Sequence, residues 1–185
     1  MRTIFLLAAA AAVVSAVPAH ADPSASDNIP ITAAIAPECS LQDNLGSVDL
    51  GTLPINVAPG VNALVIQGTT SGSIPDMWAS CNTQATVTLQ SVRGGLVSSS
   101  NDADPSRGSD GLTNQINYRA ELVGFDENIS LLADGTAGEE SSVLMDAFHK
   151  EVELWIHVNA SDNVGKRPLA GQDYRDTLIL TLAAI

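Results

Sequence analysis

The chain has 185 residues, with 8 basic residues against 21 acidic ones, a formal net charge of −13, and aromatic side chains at only 4%. That charge argues against nucleic acid and anionic lipid as partners, since both repel a strongly acidic protein. The scarcity of aromatic residues argues against a stacking groove of the kind lectins use.

Residues 1–21 read as a signal peptide. Arg2 precedes an apolar run from Ile4 to Val14, and Ala19-His20-Ala21 has the small-x-small form of a cleavage site. The run is shorter than the ~20 residues a bilayer span needs, so the expectation is an exported protein with no direct membrane insertion. Cleavage after Ala21 leaves 164 residues with 7 basic and 21 acidic side chains, enough for one domain with its own core. Cys39 and Cys81, spaced 42 positions apart, are the only cysteines. An even count in an exported chain reads as a disulfide, whose loop closure removes roughly 4 kcal/mol of unfolded-state entropy.

Beyond the leader, short runs alternate with period two and are rich in Val, Ile, Leu and Thr, so the predicted class is all-β. "IPITAAIA" sets Ile29, Ile31, Ala33 and Ile35 on one face, and "NALVIQG" is predicted as a strand. "ATVTLQS" turns Ala85, Val87 and Leu89 inward, and "INYRAELVG" does the same with Ile116, Tyr118, Ala120 and Leu122. "SSVLMDAFHKEVE" allows a short helical turn; "VELWIHVN" then places Val152, Leu154, Ile156 and Val158 in the core, and "DTLILTLAAI" ends the series. "LPINVAPG", "VRGGL" and "RPLAGQD" supply turn residues, while "SSSNDADPSRGSDG" over 98–111 is aperiodic and polar and reads as an exposed loop. Six or seven short strands between such turns predict a sandwich of immunoglobulin type.

Residues able to do chemistry are few. His157 alternates outward on its strand, and His149 lies among Asp146 and Glu151 in what reads as a loop. No G-x-S-x-G, H-E-x-x-H or phosphate-cradling loop occurs, so no catalytic residues, no metal ligands and no cofactor are assigned. Asp102, Asp104 and Asp110 lack the spacing of an EF-hand loop and read as a solvated acidic segment. Trp78, just before Cys81, is expected to pack near the disulfide, and Trp155 to lie in the core or at an interface.

Taken together, "ITAAIAPECSL", "VDLGTL", "ASCNTQATVTLQS", "INYRAEL" and "LAGQDYRDTLILTL" resemble the spore coat protein U domain family and the similar archaic chaperone–usher pilins. The resemblance spans nearly all of residues 22–185, and its most specific element is a turn motif formed by Gly171, Tyr174, Asp176 and Thr177. It implies an all-β, immunoglobulin-like, incomplete (pilin-type) β-sandwich with one disulfide, over 39–185, that lacks its final strand. It also implies an acceptor-groove edge along the last strand at Thr177, Ile179, Thr181 and Ala183, and a donor segment within 22–38 presenting Ile29, Ile31, Ala33 and Ile35, a segment that the residues alone read nearly as well as the protein's own first strand, tied at Cys39. Pro30 falls near the start of that segment, where a missing ladder bond is tolerated. The implied function is a secreted fimbria-like subunit that polymerises by donor-strand complementation for adhesion or biofilm formation. Its partners would be neighbouring pilin-like subunits, a periplasmic chaperone and an outer-membrane usher; its route is the periplasm in transit to the cell surface or fimbrium. The alternative is a fibre-tip adhesin or lectin-like module that accepts a strand and donates none.

Overall fold

A computed structural model of the chain describes residues 30–42, 46–98, 112–170 and 173–185. The chain divides between Ile35 and Ala36. In the first unit, residues 30–35 are exposed and carry no regular secondary structure. The second unit holds thirteen strands among its described residues: β1 (Cys39–Leu41), β2 (Thr69–Cys81), β3 (Ala85–Ser91), β4 (Leu96–Ser98), β5 (Leu112–Thr113), β6 (Gln115–Ile116), β7 (Tyr118–Val123), β8 (Ile129–Ala133), β9 (Glu140–Met145), β10 (Phe148–Asn159), β11 (Arg167–Pro168), β12 (Tyr174–Arg175) and β13 (Leu178–Ala184). One 3₁₀ turn, Ser161–Asn163, follows β10.

The larger sheet runs β1-β2-β10-β7-β8, antiparallel throughout, and the smaller one runs β13-β3-β9, also antiparallel. A short sheet, β12-β4-β6, joins strands contiguous in sequence with β13, β3 and β7, and β11 pairs with β5 in parallel. Side chains from both main sheets meet in one apolar core, which gives an all-β, sandwich-like fold. The period-two pattern is realised side chain by side chain: Ala85, Val87 and Leu89 on β3, Ala120 and Leu122 on β7, and Val152, Leu154, Ile156 and Val158 on β10 are all buried. Cys39 and Cys81 form a disulfide that ties β1 to the end of β2.

Four sequence expectations change. The six or seven strands become thirteen among the described residues, four of them only two residues long. "SSVLMDAFHKEVE" forms no helical turn: it supplies β9 and the start of β10, because alternating Ser141, Val143 and Met145 can face inward only in an extended chain. "NALVIQG" forms no strand; Leu64 takes a left-handed φ of 65° and only Ile66 bridges, to Ile55. His149 lies in β10 instead of a loop.

Local departures from regular strand geometry have visible causes. Ile74 and Met77 of β2 face Leu154 and Val152, so Pro75 and Asp76 together oppose Glu153, a bulge that admits proline inside a paired strand. Asp76 reaches a φ of 56° there. Between β3 and β4, Gly94 has a φ of +71°, and its N–H donates to Ser91 Oγ at 2.8 Å. Its carbonyl accepts from Gly135 N–H (2.7 Å) and from Gln115 Nε2 (3.1 Å), while a Cβ would overlap the backbone of Thr136. From Gly46 to Gly68 the chain is largely coil. Val48 and Leu50 pack against β2 where Gly72 has no side chain, and Arg167 holds the far part by donating to the carbonyls of Val61 (2.8 Å) and Ala63 (3.1 Å). Its tip exposes Val57 and Val61.

Candidate functional site

β13 is an edge strand: β3 pairs with one side over its whole length, from Leu178 opposite Ser91 to Ala184 opposite Ala85, and no described residue pairs with the other. The direction of its hydrogen bonds follows from the two that bracket it. Val92 N–H donates to the Thr177 carbonyl and Ile185 N–H to the Gln84 carbonyl, each at 2.9 Å. Antiparallel pairing alternates, so residues 177, 179, 181, 183 and 185 direct their N–H and C=O groups toward β3. Those of Leu178, Leu180, Leu182 and Ala184 point away from β3, along the open edge.

The side chains follow the same parity. Leu178, Leu180 and Leu182 turn inward against the core yet stay half-buried, whereas Val87 and Leu89 beside them on β3 are wholly buried. The core is therefore thinner along this margin than one strand further in. Thr177, Ile179, Thr181 and Ala183 face outward, with Ile179 42% exposed, and their backbone groups are the ones directed at β3. The open margin is thus presented by the alternate set, one residue out of phase.

Natural edges are usually blunted by charge, proline, a bulge or shortness. β9, the opposite edge of the same sheet, begins with Glu140, and β1, an edge of the larger sheet, has three residues. β13 is seven residues long, "LILTLAA", with no charge, no proline and an unbroken register against β3.

The turn leading into β13 is held by its motif residues. Asp176 Oδ2 accepts from Ser91 Oγ (2.5 Å) and Tyr118 Oη (2.8 Å), while Oδ1 accepts from the N–H groups of Arg93 (2.9 Å) and Thr177 (2.7 Å). Tyr174 Oη donates its one proton within reach of two carbonyls, Thr113 (3.2 Å) and Leu169 (3.1 Å). Gly171 lies outside the described residues. Burial of its ring pushes the Tyr118 phenol well above its ordinary value; the hydroxyl of Ser91 opposes the shift and the Asp176 carboxylate adds to it. A raised phenol stabilises the fold fully below the unfolded pKa of about 10, and above it the unfolded chain ionises first. We expect stability to fall by about 1.4 kcal/mol per pH unit above pH 10 on account of this group, and Tyr118→Phe to flatten that slope in alkaline unfolding titrations.

Of the segment carrying Ile29, Ile31, Ala33 and Ile35, the first residue is outside the described range. The other three are exposed, Ile31 at 92% and Ile35 at 87%, and none is in a strand. Asp102, Asp104 and Asp110 are likewise outside it. Trp78, 45% exposed, stacks on His149 at 4.8 Å between ring centroids, and Ser80 Oγ lies 2.6 Å from His149 Nδ1. Trp155 stacks on His157 on the outer face of the larger sheet, with its centroid 5.8 Å away. Among the described residues no three His, Cys, Asp or Glu side chains converge as a ligand set.

Sequence reasoning missed Ser91 and Asn82. Ser91 is a strand serine with no buried-site signature; Asn82, directly after Cys81, offered the turn-forming amide as its one signal. No protein-family model matches this chain, and no curated protein matches it either.

Proposed function

We propose that this protein is a secreted structural subunit that polymerises by donor-strand complementation into a surface fibre serving adhesion or biofilm formation. It is not an enzyme and uses no cofactor. The observation that supports this reading best is the open edge of β13, uncharged and seven residues long, lying above half-buried leucines. A strand laid along it gains main-chain bonds to Leu178, Leu180, Leu182 and Ala184 and covers the thin margin of the core, which is the physics of β-strand addition. Residues 29–35 match that edge in length, about 23 Å at the usual rise per residue, and place four apolar side chains on one face. Burying the three isoleucines contributes a gross 1.5–3 kcal/mol each, about 5–9 kcal/mol before ordering costs. The incomplete, pilin-type sandwich belongs to this reading. So do its partners: neighbouring subunits, with a periplasmic chaperone and an outer-membrane usher handling the chain on its way to the cell surface.

The test compares the chain from Asp22 with one lacking Asp22–Ala36. The longer chain is expected to form a ladder of denaturation-resistant multimers on a gel and the shorter one to stay monomeric. A peptide of sequence Asn28–Ala36 should raise the melting temperature of the shorter chain, and the same peptide with Ile31→Asp and Ile35→Asp should not. A shorter chain indifferent to the peptide overturns the reading, and so does a longer chain that never assembles.

A further inference from the structure

The turn between β2 and β3 holds two parts of the chain that strand donation would use. Asn82 grips the residues that lead into β1 by three bonds: its N–H donates to the Glu38 carbonyl (3.1 Å), Nδ2 donates to the Ala36 carbonyl (2.9 Å), and Oδ1 accepts from Glu38 N–H (2.7 Å). Two residues further on, the Gln84 carbonyl accepts Ile185 N–H (2.9 Å), and Thr83 Oγ1 donates to the Ile185 carbonyl (3.4 Å). The Cys39–Cys81 disulfide closes the same turn from its other side. Three consecutive residues, Asn82 to Gln84, therefore anchor both the base of the N-terminal segment and the end of β13.

The chemistry of the clamp is specific. It needs a donor and an acceptor on one short side chain, aimed at a carbonyl and an N–H two residues apart; a primary amide carries them on two separate atoms, whereas a carboxylate only accepts and a hydroxyl has a single oxygen for both roles. Ala36–Glu38 are thereby fixed in direction, although all three are exposed and belong to no strand.

We infer that Asn82 is a positioning residue for assembly: it sets the angle at which the extension leaves one subunit and so the orientation of the second copy that receives it. The inference rests on the reading of residues 29–35 as the donated strand. Ile35 directly precedes the clamped Ala36, so no unclamped residue lies between the donated segment and the clamp. Without the clamp, Ala36–Glu38 join the linker and add about 10 Å of flexible chain at each junction.

The experiment uses the full chain from Asp22. Asn82→Ala and, separately, the isosteric Asn82→Asp, which keeps an acceptor for the Glu38 N–H but sets an oxygen in place of the amide donor to the Ala36 carbonyl, are compared with the parent by gel and by electron microscopy of the multimers. Both variants are expected to form multimers whose persistence length is about twofold or more below that of the parent. In the chain lacking Asp22–Ala36, Asn82→Ala should leave the melting shift produced by the Asn28–Ala36 peptide unchanged, because the receiving edge is intact. If Asn82→Ala does not fold, Asn82→Asp decides the matter alone. Multimers as straight as those of the parent from the variants that fold overturn the inference while the donor reading stands. A peptide that fails to shift the shortened parent chain overturns the donor reading, and this inference with it.

Discussion

Replacing Asp176 by alanine is expected to destabilise the domain by about 2–4 kcal/mol, a large effect for a side chain outside the apolar core. The carboxylate accepts four hydrogen bonds at once, two from side chains that are almost wholly buried, Ser91 and Tyr118. Truncation leaves those two hydroxyls and the Arg93 N–H without their acceptor, and water can replace it only in part because Asp176 is itself half-buried. The loss falls on the junction where β13 is set against β3, so it also frays the edge proposed to receive a strand. In urea unfolding the midpoint should fall with little change in slope, and the melting temperature should drop by roughly 5–15 °C. Asp176→Asn, which keeps one acceptor oxygen, should lose about half as much. A change below about 0.5 kcal/mol for the alanine variant would mean that the network does not hold the turn.

Removing the disulfide is the second large effect. Cys39→Ser with Cys81→Ser reopens a loop spanning 42 positions, and the chain-entropy relation gives a loss of about 4 kcal/mol. Native contacts at the site change little, because β1 still pairs with β2 from Cys39 to Leu41. The measurement is the difference in unfolding free energy between the parent and the double variant under non-reducing conditions. Equal stabilities would show that the unfolded chain is already held compact in this region. Cys81 is nearly fully buried, so a mild reductant should act slowly on the folded protein and quickly once denaturant is present.

Much of this architecture was legible in the sequence because the pleat imposes a period of two. The buried positions of β3, β7 and β10 were readable from alternation alone, and the disulfide from the even cysteine count. What alternation does not carry is phase at an open edge: in "LILTLAA" both faces hold apolar residues, so nothing in the letters says which set bonds to β3. The "NALVIQG" stretch looked like a strand because its composition is right, and it fails because Leu64 adopts a left-handed φ. Polar networks were the least visible part. A turn motif points to Asp176, but its partners Ser91 and Tyr118 lie 85 and 58 positions away, a separation only the fold can bridge.

The long coil between β1 and β2 has a further consequence. Its tip at Val57 and Val61 is exposed, while its two arms are pinned, one by Val48 and Leu50 packing on β2 and the other by Arg167. The whole excursion lies between Cys39 and Cys81. A protease that nicks the tip therefore severs the backbone without releasing a fragment, since the sulfur bridge still couples the two pieces. Wear at this exposed tip is in this way decoupled from loss of the molecule.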